Sequence, residues 1–511
     1  VAGGDYKAVK WVDGKIKELP DIPGGSKSSF ASDVSADGFI IIGTYQKTAL
    51  VNSAVKWEAS KAIALGTLGG AGSTATAISA DGKVIVGTSQ TTVTADTTHA
   101  FVYKNNTMMD LGTLGGKHST ASAVSKDGSV IVGQAGLPSG EVHAFQYVDG
   151  KMMDLGTLGG ENSTAKALSQ DGKVIVGRSQ IADGSWHLFL CYAIFPPHAL
   201  EKPVILDLDN TYEALRQNGY QLNSLLNLQN MMLHTALNHE HTVFSKYRRG
   251  FSGETYLHAL QNMASNLAGA HIQLTYEMPS SWRIGIFLNQ TFSAHTPDNF
   301  HIKHSQPWTR ACIEWRSSDS LGSSFRASFG YGNPGVTIVR KQLENTEAGS
   351  GNSTFRSFAG QIESRYGLPF GKGIRVQPFL GLKLIRISRE NYAESNVRFP
   401  IYYDNVDYAA STGYVGTRAH IFLIPDFTMT ARMGIEQNLY SHVDSLSGTI
   451  VSFGSFRFEE LHIVHTRAFA SLDFKYDLLK SQCLKCVFHV NQQPLQGVMG
   501  FPSSAEYNMG F

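Results

Sequence analysis

The sequence predicts an all-β protein whose two dissimilar halves are joined by a single helix. Three observations carry that reading: long stretches that alternate apolar and polar residues in the second half, a motif recurring about every 45 residues in the first, and one proline-free helical stretch between them.

The alternation is clearest from Arg467 to Leu478. Ala468, Ala470, Leu472, Phe474, Tyr476 and Leu478 are apolar, and Arg467, Ser471, Asp473, Lys475 and Asp477 between them are polar, with Phe469 the exception. A period of two is a strand with one apolar and one polar face. The pattern recurs from about His271 onward. Ile374, Val376, Pro378, Leu380, Leu382 and Leu384 oppose Arg375, Gln377, Gly381 and Lys383. Phe427, Met429, Ala431, Met433 and Ile435 oppose Thr428, Thr430, Arg432, Gly434 and Glu436. Ala311, Ile313 and Trp315 oppose Arg310, Cys312, Glu314 and Arg316, and Trp282, Ile284, Ile286 and Leu288 oppose Arg283, Gly285 and Asn289. A soluble sandwich also alternates, but with strands of about five or six residues, whereas a tilted bilayer-crossing strand takes roughly ten. Charges on one face and almost none on the other predict a transmembrane β-barrel with a lipid-facing wall and a polar lumen.

Bulk properties agree. A chain of 511 residues holds two or three domains. Charged residues make up 17% and there are 51 glycines, which fits a turn-rich β protein with a membrane portion. The net charge of +1 gives no case for nucleic acid. No apolar run is long enough for a transmembrane helix, which leaves a barrel untouched. Val1 is followed by no leader pattern, so the expectation is a removed leader or, as the repeats favour, a fragment. Cys483-x-x-Cys486 has no second pair or histidine-rich partner nearby. It reads as a loop disulfide or as two unpaired thiols near a strand end, not as a metal site.

Residues 1–208 form the repeat region. The hexapeptide LGTLGG starts at Leu65, Leu111 and Leu155, with a degenerate copy in Leu19 to Gly25 and a candidate last copy at Leu206 to Asn210. Asp-Gly recurs at 37–38, 81–82, 127–128 and 171–172, each followed by an Ile/Val-rich run ending in Gly43, Gly87, Gly133 or Gly177. His99-Ala-Phe101, His143-Ala-Phe145 and His187-Leu-Phe189 come next. One unit reads as four strands, at 74–79, 83–88, 99–104 and 107–111, which predicts a β-propeller-like array. Asp81-Gly82 fits a two-residue hairpin turn, and the Gly-Gly pairs fit crossings between blades. Four units and a half are visible; a closed propeller takes four to eight blades, so further units are expected upstream.

Chemistry in the repeats is weakly indicated. Ser35-x-Asp37-Gly38 and its copies approach the aspartate box of sialidase propellers, but the Trp and the spacing of that box are missing. Arg178 is the single arginine before residue 200, too few for a carboxylate clamp. His99, His143 and His187 could ring a channel and bind metal. As equivalent positions of a repeat they fit better as structural groups, each bonded to a backbone group of its own blade. No catalytic, cofactor-binding or metal-binding residue is assigned, and no cofactor is expected. The sequence contains no G-x-x-x-x-G-K-[ST], H-E-x-x-H or G-x-S-x-G motif.

Residues 191–204 carry three prolines and interrupt the last unit. Asn210 and Glu213 then form a capping-box-like start. From Thr211 to about Phe244 there is no proline, and Leu215, Leu222, Leu226, Leu233 and Leu237 trace one helical face. The other faces carry Gln217, Asn223, Asn227, Gln229, Asn230 and Asn238. A packed soluble helix is possible; the uncharged amide-rich surface suits a helix threaded through a polar pore better. The predicted domains are a repeat passenger at 1–208, a linker or pore helix at 209–245 and a barrel at 246–511.

This arrangement resembles an autotransporter of the type V secretion class. The local matches are Arg356 to Leu368 (RSFAGQIESRYGL), then Val376-Gln-Pro-Phe-Leu-Gly-Leu382, similar to the family's paired barrel strands, and the alternating end from Ala505 to Phe511. The LGTLGG, Ser-x-Asp-Gly and His-Ala-Phe units resemble the HAF repeat, and the pairing resembles chlamydial autotransporters. The resemblance implies a twelve-stranded barrel in the bacterial outer membrane, a passenger at the cell surface or secreted, and a helix left in the pore. It also implies recognition of Phe511 by the outer-membrane barrel assembly machinery, lipid as a partner, and a host or cell-surface ligand for the passenger. Some members cut themselves at an Asn in the helix; Asn223, Asn227 and Asn230 are candidate positions, but no Asn-Asn pair occurs there and the cleavage is not carried over. The alternatives to a binding passenger on an export barrel are a secreted soluble propeller that binds a ligand, and a propeller glycoside hydrolase.

Overall fold

A computed structural model describes residues 6–23, 28–48, 51–92, 96–195, 204–238, 250–261, 265–278, 281–303, 307–317, 323–371, 373–451, 453–458, 462–479, 482–495 and 499–510. The chain divides into two compact units, residues 1–213 with 343–346, and residues 214–342 with 347–511.

The first unit is an array of antiparallel sheets. A two-stranded sheet (Val9–Val12, Lys15–Glu18) precedes four four-stranded meanders. Their strands are Ser29–Val34, Ile41–Thr48, Val51–Glu58 and Lys61–Gly66; Ser73–Ile78, Ile85–Gln90, Thr98–Lys104 and Thr107–Asp110; Ser119–Val124, Val130–Gly136, Val142–Val148 and Lys151–Gly156; then Gly159–Leu168, Val174–Ile181, Trp186–Tyr192 and Ile205–Asp207. The four strands expected per unit are found within two residues of their expected ends. Consecutive sheets pack face to face: Ile42, Ala54 and Leu65 of one meet Ile78, Ile85, Phe101 and Tyr103 of the next. The following joints use equivalent residues. In each of the last three sheets, the glycine that closes the Ile/Val run makes room for the aromatic of the His-Ala-Phe strand. A Cβ on Gly87, Gly133 or Gly177 would lie 2.7–2.9 Å from a ring carbon of Phe101, Phe145 or Phe189.

The Asp-Gly turns are not two-residue hairpins. The Ser79 N–H donates to the Val84 carbonyl at 2.8 Å, closing a four-residue loop at 80–83. Gly82 takes the positive φ of +73°, while Asp81 is used for its side chain, accepting from Ser79 Oγ at 2.7 Å and from the Lys83 N–H at 3.0 Å. The LGTLGG segments do join one sheet to the next. Gly69, with φ +110°, bends the chain, and Thr67 Oγ1 donates across the bend to the Gly70 carbonyl at 2.8 Å.

The second unit is a closed barrel of twelve strands: β1 (Gly250–Gln261), β2 (Asn266–Glu277), β3 (Trp282–His295), β4 (Trp308–Arg316), β5 (Ser323–Gly332), β6 (Ser350–Tyr366), β7 (Ile374–Arg389), β8 (Val406–Ile424), β9 (Phe427–Val443), β10 (Thr466–Leu479), β11 (Gln482–Gln492) and β12 (Ser503–Gly510). β1 lies ahead of the stretch where alternation is first evident in the sequence. Each strand pairs antiparallel with its successor, and β12 returns to β1 from Ser252–Gly510 to Ala259–Ser503, so the barrel sheet has no free edge. Without an edge, every strand's backbone groups are paired inside hydrocarbon, where no water could satisfy them.

The alternation maps onto wall and lumen as expected. Leu380 is 65% exposed and Met433 59% exposed on the outer wall, with Ile272, Leu288, Leu384 and Ile435 beside them. Arg310, Glu314, Glu363, Lys383 and Glu436 are buried inside. At one mouth the ends of β2 and β3, β4 and β5, β6 and β7, β8 and β9, and β10 and β11 are separated by two to seven residues. At the other, the ends of β3 and β4, β5 and β6, β7 and β8, and β9 and β10 are separated by 12 to 22 residues. Short turns inside and long loops outside are the ordinary polarity of an outer-membrane barrel. Two long loops build their own four-stranded sheet (Tyr392–Ala393, Ile401–Tyr403, Ser447–Ile450, Gly454–Arg457). It is held by the buried Glu394 carboxylate, which accepts from Arg340 Nε at 2.9 Å and Nη2 at 3.0 Å.

Candidate functional site in the barrel lumen

The helix α1 runs Leu208–Asn238. Its N-cap is Asp207 rather than Asn210: the Asp207 carboxylate accepts the Asn210 N–H at 3.0 Å and its carbonyl accepts Thr211 Oγ1 at 2.6 Å. The expected continuation to Phe244 lies outside the described residues. No described helix is long and apolar enough to cross a membrane. From Ala214 onward α1 occupies the lumen, with Leu222, Leu226, Leu233 and Leu237 buried.

Its amides fasten it to the wall and loops. Asn218 Oδ1 accepts from Asn299 Nδ2 at 2.6 Å. Asn227 donates to the Leu495 carbonyl at 2.9 Å and accepts its N–H at 3.2 Å, while Asn230 donates to Gln493 at 3.2 Å. Asn238 Oδ1 accepts from Arg432 at 3.2 Å and from Gln361 at 3.3 Å. The Arg326 guanidinium donates to the Leu237 carbonyl in the last described turn of α1. Of the three asparagines singled out from the sequence, Asn227 and Asn230 thus bond Leu495 and Gln493 ahead of β12, and Asn223 is buried without a hydrogen-bond partner among the described residues.

The wall facing the helix is a network of buried ions. Glu436 accepts from Lys383 at 2.6 Å, Arg467 at 3.1 Å and the helix residue His234 at 3.3 Å. Glu363 accepts from Arg432 at 2.9 Å and also binds Arg365. Arg432 lies over the rings of Phe379 (4.6 Å) and Phe469 (5.2 Å). Phe469, the exception to the alternation of its strand, points inward into this cluster with Tyr414. Each of these rings lies over a glycine on the neighbouring strand. A Cβ on Gly416 would be 2.5 Å from Phe379, one on Gly434 2.5 Å from Phe469, and one on Gly381 2.3 Å from the Tyr414 hydroxyl.

The repeat residues form local pairs. His99, His143 and His187 each use Nδ1 to bond a carboxylate of the fourth strand of their own sheet, Asp110 (2.8 Å), Asp154 (2.9 Å) and Asp207 (2.8 Å). The backbone partners expected for them are therefore replaced by aspartate side chains. The first four-stranded sheet has Ser53 and Ala64 at the matching positions, so both members are absent together. His187, Asp207 and Asp209 present ligand-type atoms within 4.8 Å of one another. Each is already engaged: His187 with Asp207, Asp207 with the Asn210 N–H, and Asp209 with the Leu188 N–H. The Ser-x-Asp-Gly carboxylates serve their turns, and hydrogen bonds from Ser79 and the Lys83 backbone hold Asp81 down at about 2.

All four cysteines are free thiols. Cys483 is buried and Cys486 exposed on the opposite face of β11, so of the two readings of Cys483-x-x-Cys486 the unpaired thiols hold.

Residues 259–478 match the family model Autotransporter beta-domain. The fold is similar to the translocator domain of the autotransporter NalP from Neisseria meningitidis, at 13% identity and a TM-score of 0.43 over 56% of this chain and 96% of that one. It is also similar to the beta domain of the Bordetella autotransporter BrkA, at 14% identity and a TM-score of 0.37 over 51% of this chain and 99% of that one. No curated protein matches the chain. The closed twelve-stranded wall, the charged lumen and the family match together identify the C-terminal part of this chain as an autotransporter β-domain, a translocator barrel of the bacterial outer membrane.

Proposed function

We propose that the barrel carries the repeat array to the cell surface and then anchors it there, with α1 remaining in the lumen as the tether. The observation that supports this most directly is the fit of helix to pore: Asn227, Asn230, His234 and Asn238 all bond groups of the lumen or its rim. The chain has no nucleotide motif. Folding of the array outside would supply direction, since a folded sheet cannot re-enter the lumen.

The array itself is proposed to be a propeller-like HAF-type module that binds or adheres to a host or neighbouring surface. Its repeated histidines, His99, His143 and His187, are each paired with an aspartate. The alternating final strand Ser503–Gly510 is proposed, together with Phe511, which lies outside the described residues, as the element read by the barrel assembly machinery. Proteinase K added to intact cells tests export: the array should be degraded while residues 250–510 survive as a barrel fragment. An array that stays protected until the outer membrane is opened refutes the proposal.

A further inference from the structure

Every joint between sheets carries the same hydrogen bond. The N–H of Ala54, Ala100 or Ala144 in the third strand of a four-stranded sheet, and of Ala8 just before Val9–Val12, donates to the hydroxyl of Ser73, Ser119, Ser163 or Ser29, respectively, in the first strand of the next sheet, at 3.0, 2.8, 2.8 and 3.1 Å. In three joints the serine passes the bond on, to the carbonyl of Gly66, Gly112 or Gly156, at 2.5–2.6 Å. Ala54, Ala100 and Ala144 are fully buried under the sheet that follows.

The last sheet has no such successor. Its matching residue is Leu188, which is 52% exposed. Yet the Leu188 N–H is not left to water: it donates to the Asp209 carboxylate at 2.9 Å, from the first turn of α1. Asp207, two residues earlier, takes His187 and caps the helix. On that face Val174, Leu190, Leu206 and Leu208 are buried, and Val176 is half-buried.

We propose that Asp209 terminates the array. It sets a carboxylate oxygen where a further sheet would bring its serine hydroxyl, so the helix start occupies that seat and closes the C-terminal face to another sheet, from this chain or from a second copy. The clustering of His187, Asp207 and Asp209 then follows from end-capping and requires no metal.

Hydrogen exchange on the full-length protein, read at the Leu188 amide, tests this. In the wild type that amide should be protected to the degree of Ala100 and Ala144. Asp209→Ala should speed its exchange roughly ten- to a hundredfold, the effect of losing a hydrogen bond to a charged acceptor. Asp209→Asn keeps an acceptor oxygen and should restore most of the protection. A wild-type Leu188 amide that exchanges like a solvent-exposed one overturns the proposal, as does an unchanged rate in Asp209→Ala. Failure of Asp209→Asn to recover protection overturns it as well. The wild-type comparison stands even where the alanine variant does not fold.

Discussion

Glu436 holds two cations of the barrel wall and one residue of the helix, and removing it should be costly. Its carboxylate is 2.6 Å from Lys383 Nζ, 3.1 Å from Arg467 Nη2 and 3.3 Å from His234 Nε2, and none of these side chains is more than 11% exposed. Glu436→Ala leaves Lys383 and Arg467 buried beside each other without their counterion. Breaking a buried pair from one side costs about 3–5 kcal/mol, most of it the penalty of the charge left behind. The barrel's unfolding equilibrium should therefore shift by roughly two to four powers of ten. The assay is the midpoint of heat-modified migration in detergent for the full chain, with limited proteolysis reporting release of α1. Adding Lys383→Met to Glu436→Ala removes one of the stranded cations and should recover part of the loss, although it deletes a second polar contact. A loss below about half a kcal/mol for Glu436→Ala, or a double variant less stable than the single one, would show that lumen water rather than Glu436 compensates these cations.

Three further outcomes follow. Gly416→Val should destabilise the barrel by about 1–3 kcal/mol by overpacking, since even a Cβ would stand 2.5 Å from the Phe379 ring and 2.3 Å from the Met433 carbonyl oxygen; the same melt measures it. The array should loosen in acid. Asp81 titrates at about 2 when folded and near 3.9 when unfolded, so its stabilisation is complete above about pH 4 and is lost as pH falls towards 2. Asp37, Asp127 and Asp171 shift in the same direction, and Asn at all four positions should flatten the Trp57 fluorescence change across that window. In a double-mutant cycle, His143 and Asp154 should couple by roughly 0.2–1 kcal/mol, and micromolar zinc should leave the melting of the array unchanged; a zinc-dependent rise of several degrees would return these histidines to the list of metal ligands.

Much of the fold can be read from the chain because burial leaves a periodic record. Alternation along 374–384 and 467–478 separates wall from lumen, since a strand must turn every second side chain the same way. The 45-residue spacing marks the sheets because each stacks on the next through the same residues. Local partners across a turn are harder to read. His99 finds Asp110 across a hairpin, and Asp207 rather than Asn210 caps α1, because the last sheet brings its fourth strand directly to the helix start.

The sequence by itself determined the division into repeats, helix and barrel strands, and which face of each strand is polar. Tertiary structure alone decided which inward charges meet. Lys383 and Glu436 are separated by 53 positions, and their contact depends on the register between strands and the closure of β12 on β1. Alternation says that a side chain points inward, but not at what height it enters the lumen. That height places His234 against Glu436, and it turns Phe469, a break in a pattern, into part of the wall around the helix.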